Sequence, residues 1–261
     1  MILSHLTSPD IAAIAPRAIA VIPLGATEQH GDHLPVCTDT TLVGEIATRV
    51  ERALPDDVAL LPVLWAGCSH HHFGFPGTVS LSSETYIRVL QDLATSLMVS
   101  GFKKIVFLNG HGGNIIPYTE AIYRLSQEPH NGEKPWVVAT SYWSLPSSTP
   151  DFMESPKLTH ACEWETSMML HLRADWVKQE KAKGYRVERN SKFYDPLGYK
   201  RTVITTGETF AEMTPNGAMG NPELATAAKG GALLDVYSNL MIEFLTEFKG
   251  WPAKKVATDQ P

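Results

Sequence analysis

Cysteine is scarce: Cys37, Cys68 and Cys162 are the three in 261 residues, far apart and never in a CxxC pair. So odd and sparse a set argues against a disulfide framework and against a Cys-rich zinc module. Long hydrophobic runs are missing as well. The longest are strand-sized and broken by Pro, Gly or Arg, and Met1–Asp10 has neither a basic start nor a long apolar stretch. Neither a membrane span nor a signal peptide is expected, and the cytoplasm is the default compartment. Basic runs are equally absent: 22 Lys and Arg stand against 28 Asp and Glu, a formal charge of −6. No cluster is suited to following a phosphate backbone, which argues against nucleic acid as a partner. Ser80 and Ser167 lack a surrounding GxSxG, so a serine hydrolase lacks its nucleophile elbow.

What remains is an ordinary globular composition, 43% hydrophobic with 19 Gly and 18 Pro, and a length that α/β folds commonly use as one unit. One domain over 1–261 is expected, with a polar tail from about 249. Short β-branched runs at Ala18–Ile22, Val58–Val63, Lys104–Leu108 and Trp136–Thr140 read as buried strands. Helical spacing follows at Thr40–Leu54, Glu84–Ser100, a stretch ending near Leu125, Glu163–Leu172 and Pro222–Phe248. In the last of these, Leu224, Ala228, Gly231, Leu234, Leu240 and Phe244 form the expected apolar face. The segment Tyr185–Ile204 shows no clear pattern. Strand, loop and helix in this rhythm predict a three-layer α/β/α sandwich on a mainly parallel sheet, with sites beyond the carboxyl ends of the strands.

The ten histidines are unevenly placed. His30, His33, His70, His71, His72, His111 and His160 lie among Gly, Asp, Glu and Asn, leaving His5, His130 and His171 elsewhere. After the first strand, Glu28 and His30 are two apart, so in an extended segment they point the same way, and Asp39 can fold back toward them. Carboxylate, imidazole and carboxylate suit Zn²⁺, Mn²⁺ or Fe²⁺ better than a thiolate metal site. His111 stands in the turn NGHGGN at the end of the third strand, where glycines let backbone approach a ligand closely. His160 precedes a helix that opens Glu163-Trp164-Glu165. Acidic residues there also serve simply to complement the helix dipole, just as the other two segments read equally as polar turns.

Together, the string EQHGxHLPxxTD at 28–39, NGHGGN at 109–114 and HACEWETS at 160–167 resemble the creatininase (creatinine amidohydrolase) family. FPGTVSL at 75–81 and TPNGAMGNP at 214–222 extend the likeness from about Ile22 to Gly231. The resemblance implies a dinuclear metal-dependent amidohydrolase acting on a small molecule, cytoplasmic and assembled as a homohexamer. It carries two divalent ions over, zinc first, with manganese or iron as alternatives. By motif position Glu28 and His111 hold one ion, His30 the other, Asp39 bridges them, and His160 shuttles the proton to the leaving nitrogen. One departure matters. Creatininase proper has a tyrosine and a ligating glutamate after the motif histidine, where this chain has Gly112 and Gly113. Glu165 or Glu163 must then supply the missing carboxylate, with Glu165 slightly preferred and Glu163 kept as a catalytic candidate. Trp143, His72 and Gly112 are the expected substrate-pocket residues, whereas Pro156 stands where creatininase proper has a lid tryptophan. His33 reads as a structural residue.

The expected chemistry is attack of a metal-bound hydroxide, formed by water whose pKa falls to about 7, on a cyclic amide or other non-peptide C–N bond. A neutral His160 as general acid would add roughly 10²–10⁴-fold. Creatinine or a related small molecule, a formamidopyrimidine, and a short modified peptide compete as substrates. A formamidopyrimidine carrying phosphate would call for a basic cluster, for which Lys103, Lys104 and Arg201 are the unplaced candidates. A binding or assembly subunit with a decayed metal site is the non-enzymatic reading.

Overall fold

The computed structural model describes residues 1–128, 133–146, 149–197 and 202–254. His130, Arg201 and the tail beyond 254 lie outside them. The four expected strands form, as β1 (Ile19–Leu24), β2 (Val58–Leu60), β3 (Lys104–Asn109) and β4 (Trp136–Ser141). They pair in the order β2-β1-β3-β4, every pair parallel, with Leu24 opposite Asn109 and Asn109 opposite Ser141 at the upper edge. Around them lie α1 (Ser8–Ile14), α2 (Thr38–Ala53), α3 (Ser83–Val99), α4 (Ile115–Gln127), α5 (Glu163–Arg173), the short α6 (Phe210–Met213) and α7 (Ala227–Lys249).

Strand β1 shows why this is a sandwich. Ile19 and Val21 pack into one apolar core with α2, α5 and α7, while Ala20, Ile22 and Leu24 pack into a second with α1, α3 and α4. A strand whose alternate side chains are buried on both faces needs helices on both faces, as in parallel sheets generally. The expected α/β class and three layers are what the chain adopts.

Two details differ from the sequence reading. The strand expected at Val58–Val63 stops at Leu60. The last helix does not run from Pro222: a single 3₁₀ turn, Pro222–Leu224, is followed by Ala225 in extended conformation, and α7 begins only at Ala227. The buried face of α7 is therefore Gly230, Leu233, Leu234, Tyr237, Ser238, Met241, Leu245 and Phe248. Of the expected face, Leu234 alone is fully buried; Leu224 precedes the helix, and Phe244 packs against the core only in part. Helix α1 carries a capping box, with Thr7 and Asp10 satisfying each other's backbone, and Pro9 in its first turn. Its seven residues are too short to stand out by periodicity.

Candidate metal centre

Every strand ends under the same spot. Glu28 to His33 follow β1, the turn His70–His72 follows β2, His111 follows β3, and Trp143 follows β4. Two buried asparagines tie these ends together. Asn109 donates to the His111 carbonyl at 2.7 Å and to Ser141 Oγ at 2.9 Å. Asn114 donates to the Gly25 carbonyl at 3.1 Å and accepts from the Cys68 N–H at 3.0 Å. NGHGGN is thus a clamp between loops as well as a turn.

Glu28, His30, Asp39, His111 and Glu165 are each 4% exposed or less, and they meet in one place. His30 and His111 both turn the ring nitrogen away from the centre onto a main-chain carbonyl. His30 Nδ1 lies 3.2 Å from the Glu28 oxygen and His111 Nε2 lies 3.1 Å from the Cys68 oxygen, contacts that call for an N–H on those nitrogens. In the neutral rings the inward nitrogens are then bare. His111 Nδ1 sits 3.2 Å from Glu28 Oε2 and 3.1 Å from Asp39 Oδ2. His30 Nε2 sits 3.1 Å from Asp39 Oδ1 and 4.0 Å from Glu165 Oε2. Both Glu28 oxygens and Asp39 Oδ2 are buried without a hydrogen-bond partner. With those two rings neutral, the carboxylates and bare nitrogens form a buried, acceptor-rich shell that is costly unless protons or a metal ion fill it.

The electrostatics agree. Burial opposes charge on His30, yet Asp39, Glu165 and Glu28 outweigh it and hold the ring's pKa up at about 10. Burial pushes Glu165 up to about 8, with Asp39 and Glu28 adding repulsion. His30 and His111 hold Asp39 below the usual carboxylate range despite its burial. Among the described residues, only histidines form ion pairs with Glu28, Asp39 and Glu165; no lysine or arginine does. The carboxylates thus draw positive charge onto His30 and His111, the groups a metal ion would have to deprotonate, and no described lysine or arginine shares that role. Glu28, His30 and Asp39 have ligand atoms within 4.8 Å of one another, and so have His30, His160 and Glu165.

Gly113 explains the missing carboxylate. A Cβ there would run into the Cys68 carbonyl oxygen and His111 Nε2, whereas Gly112 faces open space. No glutamate fits at 113 while the β2 loop lies this close. Glu165 reaches the same centre from α5 instead. Its Oε2 accepts the Ala161 N–H at 2.6 Å, and Ala161 holds a left-handed φ of 52°, unusual for a residue other than glycine. That turn places the His160 ring 4.3 Å from His30.

Glu163 is corrected by the structure: it does not reach the centre. Its carboxylate accepts from Lys229 Nζ at 2.7 Å and from the main-chain N–H groups of Ser155 at 2.6 Å and Glu154 at 3.2 Å. It is an internal ion pair on the other side of α5. His33 bonds Thr166 Oγ1 at 2.9 Å rather than the metal-ligand residues. His72 lines the cavity but is 1% exposed, with Nε2 3.3 Å from Glu28 Oε1. Trp143 and Gly112 line the cavity as expected. His71, from the histidine-rich tract, lines the cavity stacked on His111 at 5.7 Å, and two participants go beyond the sequence reading: Gln29 between His72 and His160, and Phe210, whose ring lies 4.1 Å from His72 and 4.5 Å from His160. Gln29 sits inside the histidine-rich string but on the opposite face from Glu28 and His30. Phe210 comes from a segment without periodicity and carries no signal in the sequence.

The cavity is about 300 Å³, walled by Ile115, Trp143, Leu158, Pro196, Leu197, Phe210 and Met219 over the polar floor. Among the described residues, none that lines it is Lys or Arg. Lys103 and Lys104 stand at the opposite end of the sheet, where Lys104 caps the carbonyl of Phe248 at 2.8 Å.

The family model for Creatininase, described as creatinine amidohydrolase, matches residues 4–245. The chain belongs to the creatininase family. It is 34% identical over 232 residues to a mycofactocin precursor peptide peptidase of Mycolicibacterium smegmatis, covering 87% of this chain and 83% of that protein. It is 30% identical over 270 residues to a 3-dehydro-scyllo-inosose hydrolase of Thermotoga maritima, covering 91% and 80%. A creatinine amidohydrolase of Pseudomonas putida is 27% identical over 239 residues, covering 84% and 85%. The fold matches solved creatininase structures at 23% identity: a manganese form with TM-score 0.78, covering 96% of this chain and 99% of that one, and a mutant of Zn-Zn type at 0.77, covering 96% and 98%. This creatininase-family chain is accordingly a hydrolase with a cluster of metal-ligand residues at the carboxyl edge of its sheet. None of its described helices is long and apolar enough to cross a membrane.

Proposed function

We propose that the chain is a dinuclear metal-dependent amidohydrolase that opens a C–N bond of a small cyclic amide or related compound. The observation that carries this reading is the buried cluster of Glu28, Asp39, His30 and His111, with carboxylate oxygens left unpartnered, completed by Glu165. Glu28 and His111 would hold one divalent ion and His30 and Glu165 the other, with Asp39, which turns one oxygen toward each histidine, as the shared ligand. Zinc is the first expectation for this donor set, with manganese or iron as alternatives. Bound there, such ions supply Lewis acidity, polarising an amide carbonyl and acidifying water.

The side chains do the rest. Burial holds the His160 pKa well below its ordinary value, so the ring is neutral, with a bare nitrogen to take a proton. Its Nδ1 lies 3.5 Å from Glu28 Oε1, at the edge of the centre. A proton taken there from the attacking water and passed to the leaving nitrogen turns a poor amine leaving group into a good one. Trp143, Phe210, Pro196 and Leu197 form apolar walls that orient a flat substrate and thin the water around it. A short modified peptide is the second reading, favoured by the 34% identity to a peptide peptidase. As in the family, a homohexamer working in the cytoplasm is expected.

The deciding experiment is metal analysis of protein purified without chelators, with hydrolysis assays on creatinine, simple cyclic amides, a formamidopyrimidine and short peptides. Two ions per chain with turnover of an amide would establish the reading and its substrate class. A chain that binds no metal on reconstitution would be a binding or assembly subunit instead. His160→Ala is expected to keep both ions and lose roughly 10²–10⁴-fold in turnover.

A further inference from the structure

Gln29 stands between the two histidines that approach Glu28 Oε1, and its amide can point only one way. Its Oε1 accepts the Gly31 N–H at 2.9 Å, and its Nε2 donates to the Gly217 carbonyl oxygen at 3.1 Å. A main-chain N–H only donates and a carbonyl only accepts, so reversing the amide would set donor against donor and acceptor against acceptor. The fit is close: a Cβ on Gly217, whose φ is +81°, would collide with the Gln29 amide. The same Nε2 lies 2.7 Å from His72 Nδ1. Because an amide nitrogen donates, His72 Nδ1 is the bare nitrogen. The His72 proton then sits on Nε2, 3.3 Å from Glu28 Oε1.

His160 is set by the main chain of the same residue. Its Nε2 is 2.8 Å from the Gln29 carbonyl oxygen, a contact that only an N–H satisfies. Gln29 Nε2 also comes within 3.1 Å of that nitrogen. Its two hydrogens are already used on His72 and Gly217, so this is a side-by-side approach of donors and no third bond. In the neutral ring His160 Nδ1 is therefore bare, and it faces Glu28 Oε1.

We propose that Gln29 is the positioning residue of this site, fixing His72 as the tautomer whose Nε2–H faces Glu28 Oε1 and His160 as the tautomer that presents a bare Nδ1 to the reacting centre. The purpose of that bare nitrogen rests on the amidohydrolase reading above, but the pattern of protons can be read without any turnover. A group that must take a proton has to show its lone pair to the substrate, and the opposite tautomer would show a proton instead. One glutamine thereby sets two rings by opposite means, its side chain for His72 and its backbone for His160.

Neutron diffraction from perdeuterated crystals of the zinc-loaded protein tests this directly. Deuterium is expected on Nε2 of both His72 and His160 and on neither Nδ1. Deuterium on Nδ1 of either ring, or zinc bound to either ring in its place, overturns the proposal. Gln29→Met keeps the length of the side chain and donates nothing. In that variant His72 is expected to lose its single tautomer, with deuterium spread over both nitrogens, while His160 keeps its Nε2 deuterium and zinc content is unchanged. A His72 that holds one tautomer unaltered in Gln29→Met would show Gln29 to be packing alone. Should that variant fail to fold, the crystals of the unmodified chain still decide. Failure of every amide substrate would sink the proposed function and leave these deuterium positions standing.

Discussion

The first turn of α5 carries two glutamates, two residues apart, that live in opposite surroundings. Glu163 and Glu165 are both almost wholly buried. Glu163 is met by Lys229 Nζ and two main-chain N–H groups. Glu165 is met by one main-chain N–H and, on its other side, by the ring of His30. Their acidities diverge accordingly: against burial, Lys229 and the two N–H groups hold Glu163 below its ordinary value, while burial and neighbouring carboxylates push Glu165 up to about 8. Burial alone therefore says little about what a carboxylate is for. One that has been given its own cation is a strut, and one buried among acceptors is waiting for a cation from outside.

The sharpest way to break this contrast is to neutralise each carboxylate in turn. Glu165→Gln is expected to fall from two ions per chain to one and to lose at least about 10²-fold in turnover, measured by metal analysis and hydrolysis rate. Glu163→Gln is expected to keep both ions and turnover within about twofold. Its cost falls on stability instead. Weakening charge-assisted hydrogen bonds at a buried site costs about 2 kcal/mol, or about 4–8 °C in Tm for a chain of this size. If metal loss follows Glu163→Gln instead, the two faces of α5 have been assigned the wrong way round.

Much of the centre is legible in the amino-acid sequence. Glu28, His30 and Asp39 converge because extended backbone puts alternate residues on one face and Asp39 opens the next helix; both are local facts. His111 follows from the rule that sites gather at the carboxyl edge of a parallel sheet. The choice between Glu163 and Glu165 is not decidable from sequence, since it depends on Lys229 of α7 arriving on one face of α5, a contact between residues 66 positions apart. Phe210 is invisible there for a related reason: it sits on a four-residue helix, too short to show a period, and reaches the histidines only through tertiary packing. The start of α7 is misread from periodicity because two extended residues, Ala225 and Thr226, interrupt a pattern that looks continuous.

Acid offers a finer test of the same pair. The folded pKa of Glu163 lies below its ordinary value of 4.5, so the unfolded chain binds that proton more readily than the folded one. The stabilisation from the Glu163–Lys229 contact is then complete above pH 4.5 and fades as the pH falls below it. The Tm gap between the unmodified chain and Glu163→Gln should hold steady from pH 7 down to 4.5 and narrow at lower pH. A gap that stays constant to pH 3 would show that the charge of Glu163 is not what Lys229 responds to.

The smallest effect concerns the bend that carries Glu165 and His160 to the centre. Ala161 is the described non-glycine residue with positive φ, at 52°, a conformation that costs an L-residue about 1–2 kcal/mol. Glycine there would relieve that strain. It would also add about 0.5–1 kcal/mol of unfolded-state entropy and remove a buried methyl worth about 0.8 kcal/mol. The three terms nearly cancel, so Ala161→Gly is expected to move Tm by less than about 4 °C. Ala47, equally buried but in the middle of α2, has no strain to relieve. Ala47→Gly should lose the full sum of the last two terms, about 1.3–1.8 kcal/mol. The difference between the two variants, read by thermal melts, measures the strain stored at Ala161. Equal losses would mean that the left-handed turn costs nothing, and that the N–H it presents to Glu165 comes without a penalty elsewhere in the fold.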